Sequence, residues 1–155
     1  MDNDVKFMKL AIELSKQAVK HDNEPFGAVM TKHGEIVAIN ENSIYTSNDP
    51  TAHAEMGLLQ KFVNDGKVTD LKEYTLYSSC EPCYMCAGAM IWLKLGRLVY
   101  GASDRDLARL IGETGSDCVD SVFSSYPTHP EVTSGVLRDE AIEVLRSYFS
   151  DNIKG

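Results

Sequence analysis

Apolar residues recur at helical spacing near both ends of the chain and once in its middle. The first repeat predicts an N-terminal helix and consists of Phe7, Leu10, Ala11, Leu14 and Ala18. The last predicts a C-terminal helix and consists of Leu137, Ala141, Ile142, Leu145, Tyr148 and Phe149. The middle repeat consists of Leu58, Leu59 and Phe62. Glu55 lies on the same stripe, and a carboxylate facing the interior is costly unless it has a partner or a function.

Short apolar segments between these helices predict β-strands. They cover residues 26–31, 35–40, 74–78 and 97–101, with an edge strand at 131–133. A second central helix is expected from about Cys83 to Leu95, where Gly96 ends it. Residues 103–130 lack a clean period and are expected to be irregular, partly helical and close to the mouth of a pocket. The alternation of strands and helices predicts a single α/β domain over residues 1–155, with three layers and a mixed sheet.

The net charge and the positions of the cysteines indicate which kinds of binding partner are expected. The chain has 15 Lys and Arg residues against 23 Asp and Glu residues, for a net charge of −8. Proteins that bind nucleic acid usually carry a basic face, so a nucleic-acid partner is not expected. No apolar run is long enough to predict a membrane span. Three of the four cysteines lie between positions 80 and 86, which favours metal binding in a reducing cytoplasm over disulfides.

Two short motifs contain the residues that suit catalytic chemistry. They are His53-Ala54-Glu55 and, further along, Pro82-Cys83-Tyr84-Met85-Cys86. A catalytic zinc site has three protein ligands and leaves a fourth position for water. His53, Cys83 and Cys86 are the predicted ligands, and Glu55 is expected to move protons without binding the metal. We therefore predict a zinc site with one open position.

Each motif alone has simpler explanations. Cys83 and Cys86 could form a redox pair or half of a structural zinc site, and with Cys80 they are spaced like part of an iron–sulfur sequence. A structural zinc site is closed by four ligands, and Cys80 is the one competitor for the fourth position. Pro82 is expected in the first turn of the helix, which separates Cys80 from it. Cys80 is therefore interpreted as a small buried residue at a strand end.

In these motifs the chain resembles the cytidine deaminase-like superfamily, within the branch of guanine deaminases and tRNA adenosine deaminases. The resemblance rests on Pro25-Phe26-Gly27-Ala28-Val29, on Asp49-Pro50-Thr51-Ala52-His53-Ala54-Glu55 and on Glu81-Pro82-Cys83. It implies a five-stranded mixed sheet flanked by helices, a bound zinc ion and a homodimer. It also implies hydrolytic deamination of a base, with Glu55 of the first motif as acid and base.

The same resemblance implies which residues contact the substrate. The side-chain amide of Asn42 and the backbone N–H of Ala54 match positions that hydrogen-bond the substrate. Phe26 and Trp92 match aromatic positions that pack around a purine, and aromatic stacking suits a flat base. Asn42 could equally be a loop-forming residue, and both aromatic residues could be ordinary core.

Different parts of the chain resemble enzymes with different substrates. The Pro-Phe-Gly-Ala segment and Trp92 resemble guanine deaminases, whereas residues 131–140 resemble tRNA adenosine deaminases. The region 103–130 departs from guanine deaminases, and there Glu113 is expected to bind the exocyclic amine and ring N–H of the purine, with Asp117 as second choice. The excess of acidic over basic residues differs from what is expected of tRNA adenosine deaminases.

We therefore expect a cytoplasmic enzyme that deaminates a free nucleobase, most simply guanine to xanthine and ammonia. Three alternatives stay open at this stage. The chain could be a tRNA-specific adenosine deaminase, a deaminase of cytosine, a nucleoside or a triazine-like ring, or a zinc-stabilised binding module without catalytic activity.

Overall fold

The computed structural model describes residues 2–153, with the side chains of residues 3–150. Residues 1, 154 and 155 of the predicted 1–155 domain lie outside this range. The strands are β1 (Gly27–Lys32), β2 (Glu35–Glu41), β3 (Tyr74–Cys80), β4 (Arg97–Ala102) and β5 (Glu131–Thr133). The helices are α1 (Asp2–Lys20), α2 (Ala54–Gly66), α3 (Tyr84–Trp92), α4 (Asp104–Leu110), α5 (Cys118–Phe123) and α6 (Arg138–Ile153).

The strands form one mixed sheet in the order β2-β1-β3-β4-β5. β1 is antiparallel to both β2 and β3, while β3, β4 and β5 are parallel. Parallel neighbours need a crossover, and α3 supplies it between β3 and β4, as α4 and α5 do between β4 and β5. The carboxyl ends of β3 and β4 therefore open towards the starts of α3 and α4, which is where α/β sheets bind ligands.

Alternating side chains of the central strands build a core on each face of the sheet. Met30, Leu76 and Leu98 point towards α2, α3 and α5, in one cluster of buried residues. Their neighbours Val29, Tyr77 and Val99 point towards α1 and α6, in the second cluster. The period of two along each strand explains this division. The predicted three-layer α/β/α architecture with a five-stranded mixed sheet is confirmed.

The second central helix ends earlier than predicted. α3 stops at Trp92 instead of Leu95, and Lys94 adopts a left-handed φ of 57°. The N–H of Leu95 then bonds the carbonyl of Met90 at 3.0 Å, which closes the helix end. Gly96 has a different function, because a Cβ there would lie 1.9 Å from the carbonyl oxygen of Lys72. The glycine allows two chain segments to pass in close contact.

No helix within the described part of the chain combines the length and apolar character that crossing a membrane requires.

Candidate metal centre and active site

The three predicted metal ligands lie at the N-termini of two helices. His53 is the N-cap of α2, Cys83 is the N-cap of α3, and Cys86 lies in the first turn of α3. Neither N-cap side chain bonds the backbone of its own helix, so both point away from the usual capping position. Pro82 precedes the N-cap and is not in the first helical turn as predicted. The partial positive charge of a helix N-terminus favours thiolates at these positions.

The ligand atoms have the separations that a tetrahedral zinc ion requires. The Sγ atoms of Cys83 and Cys86 lie 3.5 Å and 3.7 Å from Nδ1 of His53, and the three ligand atoms lie within 4.8 Å of one another. Zinc–sulfur and zinc–nitrogen bonds at tetrahedral angles would hold sulfur and nitrogen about 3.6 Å apart. The geometry therefore fits zinc, with Nδ1 as the ligating nitrogen of His53.

Cys80 does not belong to this group of ligand atoms. It is the last residue of β3 and is buried, as predicted from its place before Pro82. Among residues 3–150, the candidate metal group around His53 contains Cys83 and Cys86 but not Cys80. The site thus offers three ligands, as a catalytic zinc site does, and not the four of a structural site.

Hydrogen bonding within the group distributes its protons unequally. Contacts from Cys86 and then from His53 lower the pKa of Cys83 to about 4. The pKa of Cys86 is raised, because it shares its proton with Cys83 and because it is buried. The pKa of His53 is also raised, chiefly by its hydrogen bond to Cys83. Metal binding must displace protons from this group, since zinc takes thiolates and a neutral imidazole.

Glu55 is the second residue of α2 and lies beside the ligands without joining them. It is only 6% exposed. Burial is the main cause that raises its pKa, to about 7, although hydrogen bonds with its own backbone and with Ser78 act in the opposite direction. The interior orientation predicted from the helical stripe is therefore observed. A carboxyl group in such surroundings suits proton transfer near neutral pH.

A cavity of about 180 Å³ opens directly onto the ligands and Glu55. Its lining residues are Glu24, Phe26, Asn42, His53, Glu55, Cys80, Glu81, Cys83, Asp104 and Leu107. Lys and Arg are absent from this set, so the wall is acidic and apolar. The structure thus brings Phe26 and Asn42 to the cavity, where the family resemblance expects them.

Asn42 is held in one orientation by the backbone around it. Its Oδ1 accepts the N–H of Ile44 at 3.1 Å and the N–H of Glu24 at 3.4 Å. Because both partners are donors, the acceptor atom must be the oxygen, and the NH₂ group is left as a donor. The side chain is 1% exposed and lines the cavity. Asn42 is therefore a loop-forming residue whose NH₂ group is a donor at the cavity.

Ala54 lies between the lining residues His53 and Glu55 but does not itself line the cavity. It is the first residue of α2 and is fully buried. The N–H groups of the first turn have no partner within their own helix, so the N–H of Ala54 is a donor beside His53. Its carbonyl accepts a hydrogen bond from Nδ2 of Asn40 at 2.9 Å, which holds the start of α2 against β2.

Trp92 does not line this cavity, which corrects its expected place around the substrate. It is the last residue of α3 and is 78% exposed. It borders a separate cleft with Tyr126 and His129. The cysteine ligands Cys83 and Cys86 lie nine and six residues before Trp92, at the N-terminal end of α3 and about 9–14 Å away along the helix axis. Within one chain, Trp92 is therefore too far from the ligands to pack against a base bound there.

Glu113 and Asp117 are also placed elsewhere than expected. Glu113 is exposed in the turn that closes α4, where its N–H bonds the carbonyl of Ala108 at 2.8 Å. Asp117 forms an ion pair with Arg105 at 2.8 Å on the surface. Neither residue lines the cavity. The acidic residues that do line it, apart from Glu55, come from three other segments and are Glu24, Glu81 and Asp104.

Sequence comparison and structure comparison identify the family. Residues 1–102 match the family described as the cytidine and deoxycytidylate deaminase zinc-binding region. The chain belongs to this family. Together with the three-ligand group, this makes it a zinc-dependent deaminase, and the alternatives of a redox pair, an iron–sulfur site and a non-catalytic zinc module are set aside.

Relatives of this deaminase carry several different names, and two of them represent its possible substrates here. It is 41% identical over 107 residues to a guanine deaminase of Bacillus subtilis, which covers 68% of this chain and 69% of the relative. It is 34% identical over 148 residues to a tRNA-specific adenosine deaminase of Agrobacterium fabrum, covering 94% and 93%. A solved guanine deaminase from Nitrosomonas europaea superposes with a TM-score of 0.81 at 27% identity, covering 94% of this chain and 84% of that one. The family is thereby settled, but the substrate is not.

Proposed function

We propose that this deaminase hydrolyses the amino group of a free nucleobase or related amino-heterocycle, with guanine as the first candidate and xanthine and ammonia as products. The observation that supports this most directly is the small acidic cavity on the metal ligands. At about 180 Å³ it is smaller than the 300–1,000 Å³ typical of sites for drug-sized ligands. A single planar heterocycle is the ligand size that suits such a space.

Zinc binding and proton transfer are carried out by different side chains of the site. A zinc ion held by His53, Cys83 and Cys86 would act as a Lewis acid and allow water to lose a proton near neutral pH. Glu55 accepts that proton and transfers it to the ring nitrogen beside the amine-bearing carbon. The oxygen of that water bonds to the amine-bearing carbon, and Glu55 then takes the proton of the new hydroxyl group and delivers it to the amine. The C–N bond breaks, ammonia leaves, and the ring keeps a carbonyl group. The burial of Glu55 and its place outside the ligand group support this role.

Asn42 and Phe26 of the cavity lining, together with the backbone of the adjacent Ala54, orient the ring. The NH₂ group of Asn42 and the N–H of Ala54 are donors to a carbonyl oxygen or an unprotonated ring nitrogen. Phe26 provides an apolar ring in the cavity wall against which a flat base can pack. These donors would place the amine-bearing carbon towards the ligands and Glu55.

Charge supports a free base over a nucleic acid. The chain carries a net charge of −8, and the cavity lining has several carboxylates but neither Lys nor Arg. Phosphate groups dominate the affinity of proteins for nucleic acids, and an acidic entrance repels them.

A tRNA substrate is the second candidate, because a specific observation favours it. The match to the Agrobacterium tRNA-specific adenosine deaminase spans 94% of this chain, whereas the match to the Bacillus guanine deaminase spans 68%. A tRNA substrate would make turnover fall steeply with salt, since phosphate contacts release counterions. Turnover of a free base would change little between low and physiological salt.

A substrate panel with ammonia as the readout tests the proposal. It contains guanine, guanosine, adenine, adenosine, cytosine, ammeline and tRNA, with Glu55→Ala protein as the blank. Cytosine is included because a probable cytosine deaminase of Schizosaccharomyces pombe is 32% identical over 91% of this chain. We expect ammonia from guanine or another free base. Release from tRNA alone would replace the proposal with the second candidate.

We further propose that the protein works in the cytoplasm as a homodimer. All four cysteines are free thiols, which suits a reducing compartment. Exposed aromatic side chains at both ends of α3, Tyr84 and Trp92, suit an interface between copies. Light scattering of the purified protein would show a mass of twice 17.2 kDa, and a monomer at micromolar concentration would contradict the dimer.

A further inference from the structure

Three carboxylates besides Glu55 line the cavity, and two of them are already used by the protein. Glu81 accepts the N–H of Asp104 at 3.0 Å on one oxygen and the N–H of Val119 at 3.1 Å on the other. Asp104 accepts the N–H of Ser116 at 2.8 Å. These bonds hold the starts of α4 and α5 against the end of β3. Because Glu81 and Asp104 already accept hydrogen bonds from the backbone, they are less available to a ligand.

Glu24, the third carboxylate, is held in place through its backbone. Its N–H donates to Oδ1 of Asn42 and its carbonyl accepts the N–H of Phe26 at 2.9 Å. Among residues 3–150 no hydrogen bond is seen on its carboxylate. The side chain is half-buried in the cavity wall. Burial raises its pKa, and His53 is close enough to act on it in the opposite direction.

Asn42 and Tyr148 are neighbours of Glu24. Its backbone is bonded to Asn42, whose NH₂ group is an available donor. Tyr148 of α6 is near enough for Glu24 to raise its pKa. The cavity therefore presents an acceptor at Glu24 and a donor at Asn42 to the same ligand. Because the Glu24 carboxylate is half-buried and accepts no hydrogen bond from residues 3–150, it is available to a donor on the ligand.

We infer that Glu24 is a specificity-determining residue that accepts a hydrogen bond from a ring N–H of the substrate. The inference rests on the proposed function and names its substrate class more narrowly. The ring must carry an N–H donor within reach of Glu24 and an acceptor within reach of Asn42. Heterocycles that are methylated at that nitrogen, or that carry an anionic substituent there, would be rejected because Glu24 would lose its donor or face a like charge.

Kinetics with N-methylated substrates test the role of Glu24. For guanine the set is the 1-methyl, 7-methyl and 9-methyl derivatives; for another base from the panel it is the corresponding N-methyl derivatives. The wild-type enzyme should lose roughly 10- to 100-fold in kcat/KM at one methylated position, the span of a hydrogen bond to a charged group. Glu24→Gln and Glu24→Ala should lower kcat/KM for the parent base and shrink that methylation penalty to within about threefold.

Two further measurements separate this role from a structural one. The loss in Glu24→Gln should appear mainly in KM, with zinc content and melting temperature unchanged. Glu35→Gln is the matched control, because Glu35 is exposed and pairs with Lys32 at the opposite end of the β1–β2 ladder. The control should keep wild-type kinetics.

The outcomes distinguish the inference from the proposed function. If the wild type deaminates a base and every methylation penalty is unchanged in both Glu24 variants, the inference fails and the proposed function stands. Loss of zinc from Glu24→Gln would also overturn the inference. If the wild type deaminates no free base, the proposed function fails and the inference falls with it.

Discussion

Cys83 and His53 are the N-caps of two different helices, and their ligand atoms lie 3.5 Å apart. The fold thus points two helix N-termini at one spot. Neither N-cap side chain makes the usual capping hydrogen bond, and the two side chains contact each other. This relationship sets the spacing of the ligand atoms in the metal group.

Glu55 is expected to be needed for turnover but not for metal binding. Glu55→Ala should keep stoichiometric zinc and lose on the order of 10²–10⁴ in kcat, the span of a proton-transfer group. Elemental analysis and steady-state kinetics on the same preparation check both halves. Wild-type turnover in Glu55→Ala would remove Glu55 from the mechanism, while loss of zinc would make it a ligand.

Cys86 is expected to be indispensable for zinc. Cys86→Ala leaves two ligands, so it should purify with substoichiometric zinc and a lower melting temperature, because metal binding is linked to folding. Cys118→Ala is the matched control, since Cys118 is also buried but lies outside the ligand group. Equal zinc contents in the two variants would exclude Cys86 from the ligand set.

Asn42 is expected to contribute mainly to substrate affinity. Asn42→Asp keeps an oxygen for the N–H groups of Ile44 and Glu24 but lacks the donor and adds a charge beside another carboxylate. KM should rise roughly tenfold or more, with zinc content unchanged. Asn48→Asp makes the same change at an exposed position of the same loop and should leave KM as in wild type. An unchanged KM in Asn42→Asp would contradict the role of its NH₂ group.

Acid should destabilise the protein partly through Asp106. Its bidentate contact with Arg138 lowers its pKa from an ordinary value of 3.8 to about 2. A carboxyl whose pKa is lower in the folded state stabilises the fold above pH 4 and loses that contribution as pH falls through 2. Arg138 is 49% exposed, so screening reduces the effect to about 1–2 kcal/mol.

The variant Asp106→Asn isolates this contribution. Wild type should lose about 1–2 kcal/mol more free energy of unfolding than Asp106→Asn between pH 4 and pH 2. Denaturant unfolding at several pH values measures the difference. Zinc loss at low pH affects both proteins alike and cancels in the comparison. Parallel curves for the two proteins would show that this ion pair does not couple stability to pH.

The fold and the metal ligands could be predicted because their information is local. Helical and strand periods mark the elements, and two ligands lie three residues apart in one motif. The open position could also be predicted, since Pro82 separates Cys80 from the ligand helix. Glu24 and Asp104 were missed because they come from distant parts of the chain, the segment before β1 and the start of α4. The spacing of residues within a motif cannot predict that such segments meet at one cavity.

Trp92 and Glu113 were misplaced for a related reason. Their assignments came from family resemblance at positions where the structure turns the chain away from the cavity. Trp92 lies at the far end of a short helix, and Glu113 in an exposed turn after Gly112, whose φ is 78°. Helix ends and turns depend on long-range packing, so sequence pattern constrains them least.

X-ray absorption at the zinc edge of the purified protein tests the central claim most directly. The account predicts two sulfur ligands at about 2.3 Å together with two nitrogen or oxygen ligands at about 2.0–2.1 Å, from Cys83, Cys86, His53 and solvent. A shell of three sulfur atoms would place Cys80 in the fourth position, close the site and contradict the account.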